Sequence, residues 1–220
     1  MKRYFITSTG TGIGKTFATC ALIRQARARG FRVAATKPLI SGFDKDKIAE
    51  SDTGAILAAL GDEVSEANAR KISPWRFAAP LSPNMAAADE GRAIDCQALF
   101  EFSKTFLAQP ADLAVIEGVG GVMVPLDDQN TVLDWLRACG VPALLVVGDY
   151  LGTISHTLTA IEVLRARGVE IAAVVMSEGE TPEVPFERTL DDLRSRLTPI
   201  PVVPLRRGAA GQEMARALLF

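Results

Sequence analysis

The stretch Ile6-Thr7-Ser8-Thr9-Gly10-Thr11-Gly12-Ile13-Gly14-Lys15-Thr16 decides the fold of this chain. It follows a β-prone run, residues 3–6, and precedes an apolar run, residues 17–23, that predicts the first turns of a helix. A strand, a glycine-rich turn and Gly-Lys-Thr at a helix start form a phosphate-binding loop. Glycines let backbone N–H groups converge on an anion, and the helix N-terminus adds free donors. We expect Lys15 to reach nucleotide phosphates and the Thr16 hydroxyl to ligate Mg²⁺.

The loop is a variant of the usual pattern. That pattern has glycine six residues before its lysine, where this chain has Thr9. Gly10, Gly12 and Gly14 supply the flexibility instead. The alternative interpretation is a glycine turn that caps an ordinary helix. Gly-Lys-Thr at a strand-to-helix junction favours the phosphate loop.

Composition narrows the class of protein. The chain has 220 residues, 48% of them hydrophobic, which predicts one domain over 1–220 with a large core. The net charge of −2 argues against nucleic acid or an anionic membrane as partner. Cys20, Cys96 and Cys139 have neither zinc-site nor disulfide spacing, which predicts buried, reduced thiols. The N-terminal apolar run is too short for a signal peptide, so we expect a cytoplasmic protein.

Strand and helix patterns alternate along the chain, which predicts an α/β fold. We expect a single doubly wound domain of the P-loop NTPase type, with a mainly parallel sheet and helices on both faces. Strands are predicted at residues 31–36, 113–116, 141–147, 169–176 and 200–205, the last at an edge. Helices are predicted from residue 17 to about 29 and at 51–60, 86–91, 95–107, 131–139, 151–167, 187–197 and 211–219. Residues 74–83 read as an irregular loop and Ser41-Gly42 as a turn.

Polar residues at predicted strand ends form the second signal. Lys37 precedes a proline at the end of a strand, where open α/β sheets bind ligands. Ser41 is expected to face the same crevice. Glu117 ends a buried strand and is followed by Gly118, a pattern typical of a metal-organising carboxylate beside a ligand. The alternatives are a solvated lysine and a turn-forming Glu-Gly.

Two further features come from helix starts. Asp52 lies in the first turn of a helix, where a capping or dipole-complementing carboxylate is the stronger interpretation. The helix that opens over residues 151–155 offers free N–H groups as a second anion site.

His156 is the only histidine and is expected at the surface or in packing. The sequence therefore offers no nucleophilic triad.

With these pieces placed, the chain resembles the dethiobiotin synthetases. The matching stretches appear in order across nearly the whole chain: residues 4–7, Thr11, residues 14–16, 37–38, 41–42, 51–52, 77–78, Pro80, residues 82–83, 90–91, 117–121, 146–148 and 151–152. The resemblance implies that 7,8-diaminononanoate, CO₂ (or bicarbonate) and MgATP are converted into dethiobiotin. A carbamate would be phosphorylated to a carbamic–phosphoric anhydride, and the second amine would close the ureido ring.

The resemblance also implies roles for individual residues. The implied metal residues are Thr16, Asp52 and Glu117, which changes the interpretation of Asp52. The implied catalytic residues are Lys15, Lys37, Thr11 and Ser41. The implied nucleotide-binding residues are Gly12, Ile13, Gly14, Lys15, Thr16, Phe17, Glu117, Gly118, Ser177, Pro204 and Leu205. The implied substrate-binding residues are Thr11, Lys37, Ser41, Gly118, Gly152 and Thr153, the last two lent by the second subunit of a homodimer.

Several positions depart from the family pattern. Gly10 and Gly12 stand where family members usually carry acidic residues. Asn84 and Ser155 replace an expected histidine and asparagine, and Ser177 replaces an asparagine that reads adenine. The phosphate and metal residues are intact.

Three rival functions share parts of this pattern. Partitioning or maturation ATPases, of the MinD and ParA type, act as nucleotide switches on protein partners. They usually carry an extra lysine where this chain has Gly10. Amide-forming ligases of corrinoid synthesis usually carry a glutaminase domain, for which this chain is too short. A nucleotide-binding structural protein without catalysis is the third.

Overall fold

The computed structural model describes residues 1–181 and 183–219. Pro182 and Phe220, which the predicted single domain of 1–220 includes, lie outside the described residues. The strands are β1 Lys2–Ser8, β2 Val33–Thr36, β3 Leu39–Ser41, β4 Trp75–Phe77, β5 Leu113–Glu117, β6 Ala143–Val147, β7 Ile171–Ser177 and β8 Val202–Leu205. The helices are α1 Lys15–Arg27, α2 Asp52–Leu60, α3 Glu66–Ile72, α4 Pro83–Asp89, α5 Cys96–Leu107, α6 Val132–Cys139, α7 Thr153–Ala166, α8 Phe186–Leu197 and α9 Gln212–Leu219, with a 3₁₀ turn at Ile48–Glu50.

Six strands form one parallel sheet in the order β2-β5-β1-β6-β7-β8. β5 and β6 are buried along their whole length because helices cover both faces of the sheet. The core on one face includes side chains of α1, α2 and α9, and the core on the other face includes those of α5 to α8. The predicted doubly wound, parallel α/β fold is confirmed, and β8 lies at the predicted edge.

Three elements, β3, β4 and α3, were not predicted from the sequence. β3 and β4 pair in a separate two-stranded parallel sheet, from Leu39↔Trp75 to Ser41↔Phe77. The interpretations of Ser41-Gly42 as a turn and of residues 74–83 as an irregular loop are therefore wrong in part. A three-residue strand is too short to show an alternating pattern, and its partner lies far along the chain. Helix α3, at Glu66–Ile72, was not predicted at all.

All three cysteines are free, as predicted. Cys20 and Cys96 are buried, but Cys139 is only half-buried, so the prediction of burial is wrong for that residue. Burial raises the pKa of each thiol to about 12.

His156 is exposed, as expected, and its Nδ1 lies 2.9 Å from the hydroxyl of Tyr150. Among the described residues, no helix combines the length and hydropathy that a membrane crossing requires.

Candidate active site

The phosphate loop joins β1 to α1 and presents the backbone donors at the start of that helix. Gly14 forms the N-cap of α1 with φ 93°, and no side chain accepts a hydrogen bond from the first turn. Helix starts leave N–H groups without partners, so these groups are free to bind an anion. A Cβ atom on Gly14 would lie 2.4 Å from Oγ of Ser177. Glycine is therefore required at this position both for its backbone angle and for its contact with β7.

Lys15 is folded back into the loop in the free protein. Its Nζ atom donates to Oγ of Ser8 at 3.1 Å and to the carbonyl of Gly10 at 3.2 Å. The side chain is only 7% exposed. Burial and the nearby charge of Lys37 lower the pKa of Lys15 to about 8, against the opposing effect of Glu117 and Asp52. A phosphate group would supply the counter-charge that Lys15 lacks in this position.

Four linked side chains form a group that we name the carboxylate cluster: Thr16, Lys37, Asp52 and Glu117. Nζ of Lys37 lies 2.6 Å from Oε1 of Glu117 and 3.0 Å from Oδ2 of Asp52. The Thr16 hydroxyl donates to the same Glu117 oxygen at 2.7 Å. Lys37 is 3% exposed and Glu117 is fully buried, so the solvated-lysine and plain-turn alternatives do not describe this structure.

Lys37 and the carboxylates of the cluster stabilise one another's charged forms. Burial opposes the charged form of Lys37, but Glu117 and Asp52 outweigh burial and raise its pKa. Burial likewise opposes the charged form of Asp52, yet the charge and hydrogen bonds of its neighbours, Lys37 first, lower its pKa. The physical cause is mutual: each group supplies the counter-ion that the other has lost with water. The cluster therefore sets one ammonium group against two carboxylates, which leaves one carboxylate in excess.

Asp52 does not act as the helix cap. The hydroxyl of Ser51 accepts from the N–H of Gly54 and takes that role. Asp52 is acidic in the first turn of α2, and its carboxylate points to Lys37. The capping half of the interpretation of Asp52 is thus wrong, because Ser51 already caps the helix, whereas the position of Asp52 in the first turn still complements the helix dipole.

The donor set of the cluster fits a magnesium ion. Mg²⁺ prefers oxygen ligands and is usually held by one or two carboxylates together with substrate phosphates. Thr16, Asp52 and Glu117 offer one hydroxyl and two carboxylates beside the phosphate loop. Within residues 1–181 and 183–219, no three His, Cys, Asp or Glu side chains form a metal-binding group. A metal at the cluster would therefore depend on nucleotide oxygens.

A cavity of about 220 Å³ brings most of the predicted residues together. Its lining includes Thr11, Gly12, Ile13, Gly14, Lys15, Thr16, Phe17, Lys37, Ser41 and Asp52. Gly118 lies beside it, and its carbonyl oxygen is 3.4 Å from Nζ of Lys37. A Cβ atom on Gly118 would lie 2.8 Å from the Phe5 ring, so packing alone requires this glycine.

The remaining predicted residues lie elsewhere. Ser177 lines a second cavity of about 680 Å³, on the other side of the loop glycines. Pro204 and Leu205 pair with the end of β7 but do not line that cavity, whose wall includes Arg207 instead. Gly152 and Thr153 begin α7 and line neither cavity. One chain alone does not bring them to Lys37.

Two buried hydroxyls in the site were missed from the sequence. Ser8 holds Lys15, and Thr19 lies 2.5 Å from the second oxygen of Glu117. Thr19 follows Thr16 by three residues and Lys15 by four in α1, so all three share one face of the helix. The spacing of Lys15, Thr16 and Thr19 in the sequence is the pattern from which the role of Thr19 could have been predicted.

Comparisons with known proteins agree with this geometry. A family model described as an AAA domain matches residues 2–204. The chain is 46% identical over 204 residues to the ATP-dependent dethiobiotin synthetase BioD of Phenylobacterium zucineum (strain HLK1), covering 92% of this chain and 87% of that protein. It is 47% identical over 205 residues to the protein of the same name from Acidiphilium cryptum (strain JF-5), covering 92% of each.

The fold is also similar to that of a solved structure. The septum site-determining protein MinD from Pyrococcus horikoshii OT3, complexed with Mg-ADP, matches with a TM-score of 0.52 and 18% identity. The match covers 92% of this chain and 81% of that chain. At this identity the likeness shows the fold alone.

The pKa of Lys15 yields a first prediction. Below a pH of about 8 the free protein already carries the charged lysine, whereas above it phosphate binding must be accompanied by proton uptake. We expect ADP affinity to fall by up to about tenfold per pH unit above that value. Calorimetric titration in two buffers of different ionisation enthalpy, at about pH 9, should show proton uptake. Lys15→Arg keeps the charge and should abolish the uptake; equal uptake in both proteins would contradict the assignment.

Proposed function

The chain belongs to the dethiobiotin synthetase family, and from this premise we propose that it closes the ureido ring of dethiobiotin from 7,8-diaminononanoate, CO₂ and ATP. Members of the family are ATP-dependent ligases that form this ring. One observation carries the proposal: Lys37 and Ser41 line the same 220 Å³ cavity as the phosphate-loop residues Lys15 and Thr16. A group held by Lys37 would thus stand beside the terminal phosphate of a nucleotide.

The chemistry follows from that juxtaposition. One neutral amine attacks CO₂, releases a proton and becomes a carbamate. A carbamate oxygen attacks the γ-phosphorus of ATP, and ADP leaves. The second amine attacks the carbamoyl carbon of the mixed anhydride, releases one proton and expels phosphate as the ring closes. All three attacking groups come from the substrate, so the protein needs to position groups and stabilise charge.

Charge stabilisation is assigned to two lysines. Lys15, freed from Ser8 and Gly10, would hold the β- and γ-phosphate oxygens. Lys37 would turn from the carboxylates of Glu117 and Asp52 towards the carbamate and the transferring phosphoryl group. Thr11 and Ser41, which both line the cavity, would contact the diamine or carbamate.

Thr16, Asp52 and Glu117 are the residues that would hold Mg²⁺. When bound, the ion would supply neutralisation of the charge that develops on the phosphate oxygens. The carboxylates are supported in this role by their present contacts, since both are already paired with a cation, Lys37. Exchange of that internal cation for an external one would release Lys37 for the substrate.

We assign the nucleotide base to the cavity of about 680 Å³. It is lined by the loop residues Gly12, Ile13, Gly14 and Phe17 and by Ser177, which lies against Gly14. A serine hydroxyl offers less than the paired donor and acceptor of an amide. Base selection is therefore expected to be looser than where asparagine stands. Pro204 and Leu205 would act through the β7–β8 pairing beside Ser177.

The substrate carboxylate requires a second subunit in this account. Gly152 caps α7 with φ 99° and no side-chain hydrogen bond. The N–H of Thr153 donates to the carbonyl of Tyr150, so the N–H groups that follow it in the first turn are the ones available to an anion. Met123 is 54% exposed and Leu151 80%, and Met123 lines an apolar groove of about 440 Å³ that extends from the phosphate loop to α7. Exposed apolar surface of this kind favours protein contact. We propose a two-fold homodimer in which α7 of each subunit completes the other's site.

The rival function is that of a nucleotide-switched ATPase acting on protein partners, of the MinD and ParA type. The fold is compatible with both functions. Gly10 stands where those proteins usually have an extra lysine, and Lys37 has no evident use in a switch. The proposal includes no role for nucleic acid or a membrane, and it places the enzyme in the cytoplasm.

A coupled assay of ADP release tests the function. We expect ATP turnover to depend on both 7,8-diaminononanoate and bicarbonate, because neither alone forms the carbamate. Lys15→Gln should lower the rate on the order of 10³-fold, since it removes a charge that acts on the transition state. Hydrolysis of ATP that ignores the diamine would exclude the synthetase function and favour the switch.

Subunit complementation tests the composite site. Ser155 is exposed in the first turn of α7, so Ser155→Glu should repel the substrate carboxylate and raise the Michaelis constant for the diamine. ADP affinity should not change, and Ser155→Gln serves as the neutral control. Mixing Ser155→Glu with Lys15→Gln protein should restore about a quarter of wild-type activity, because half of the dimers gain one intact site. No recovery despite demonstrated subunit exchange would exclude the shared site.

A further inference from the structure

Thr19 lies in the second turn of α1, behind the residues that face the cavity. Its side chain is fully buried. Oγ1 is 2.5 Å from Oε2 of Glu117 and 2.9 Å from the carbonyl oxygen of Lys15. Glu117 and Lys15 both belong to the proposed site, but Thr19 does not line its cavity. Its contacts are therefore with the site residues and not with a ligand.

A threonine hydroxyl carries one hydrogen, and both of these neighbours are acceptors. The hydrogen goes to Glu117, because the contact is shorter and the acceptor belongs to a carboxylate that forms an ion pair with Lys37. The Lys15 carbonyl loses little, since it lies in the helix and can accept the backbone N–H of Thr19. The bond to Glu117 is thus the one that depends on the Thr19 hydroxyl.

The hydrogen bond from Thr19 gives the two oxygens of Glu117 different partners. Oε2 is held by Thr19, while Oε1 contacts Thr16 at 2.7 Å and Lys37 at 2.6 Å. A hydrogen bond at one oxygen opposes rotation of the carboxylate about its terminal bond. The other oxygen then keeps one position relative to Thr16.

We propose that Thr19 is a positioning residue that orients Glu117 for the metal; this inference rests on the magnesium role proposed above. Thr19 and Thr16 lie on the same helix, so the bond ties the end of β5 to the segment that carries the phosphate loop's own metal ligand. Residues that orient a metal ligand typically change metal affinity by 10- to 100-fold when they are replaced.

The test compares ADP affinity with and without Mg²⁺ by calorimetry, in the full-length protein. Thr19→Val removes the hydroxyl at nearly constant shape, and Thr19→Ala removes it in a smaller side chain should the first variant fold poorly. Thr19→Ser keeps the donor. Thr189→Val is the matched control, because Thr189 is also a buried helical threonine bonded to the carbonyl four residues earlier. It lies in α8, which packs on the other face of the sheet from α1.

We expect the gain in ADP affinity on adding Mg²⁺ to be about tenfold smaller in Thr19→Val and Thr19→Ala than in wild type. Thr19→Ser and Thr189→Val should keep the full gain, and ADP affinity without Mg²⁺ should be the same in all five proteins. A full Mg²⁺ gain in Thr19→Val or Thr19→Ala, even with a lower melting temperature, would overturn the inference alone. A wild-type protein with no gain from Mg²⁺ would instead overturn the magnesium role itself.

Discussion

The ion pair between Lys37 and Glu117 is the contact on which the site depends. Two opposite charges lie 2.6 Å apart, with Glu117 fully buried and Lys37 3% exposed. Such a pair costs desolvation free energy, and removing one partner leaves an uncompensated charge. Asp52 adds a second carboxylate from a more exposed position. In the free protein the ammonium group of Lys37 thus occupies this place. The proposed reaction needs two cations there, Lys37 for the substrate and Mg²⁺ for the phosphates.

The parallel sheet is what brings these groups together. Lys37 follows β2 and Glu117 ends β5, two strands paired side by side, and the phosphate loop follows β1 on the other side of β5. The carboxyl ends of parallel strands meet at one edge of a sheet, so residues about 80 positions apart become neighbours. Asp52 and Thr19 enter from the helices α2 and α1. Helix placement therefore completes a site that strand order begins.

The sequence predicted the parts of this arrangement that follow from local pattern. Apolar runs located β5 and β6, and Gly-Lys-Thr located the phosphate loop. It did not reveal the β3–β4 pair, because three-residue strands show no period and are defined by a distant partner. It also missed Thr19. A threonine inside a predicted helix is usually interpreted as a packing residue, and only the structure shows that its hydroxyl contacts Glu117. Asp52 was assigned to the metal only through the family resemblance. Its contact with Lys37 depends on how α2 packs in the fold, which no local sequence pattern shows.

The most direct measurement of the central claim is the thermal stability of Lys37→Met with and without Mg²⁺. If Lys37 is the internal counter-ion of Glu117 and Asp52, its loss should destabilise the protein by about 3–5 kcal/mol. Mg²⁺ should then raise the melting temperature of Lys37→Met more than that of wild type, because the ion replaces the missing charge without competing with an ammonium group. A variant with wild-type stability and a wild-type response to Mg²⁺ would contradict the account.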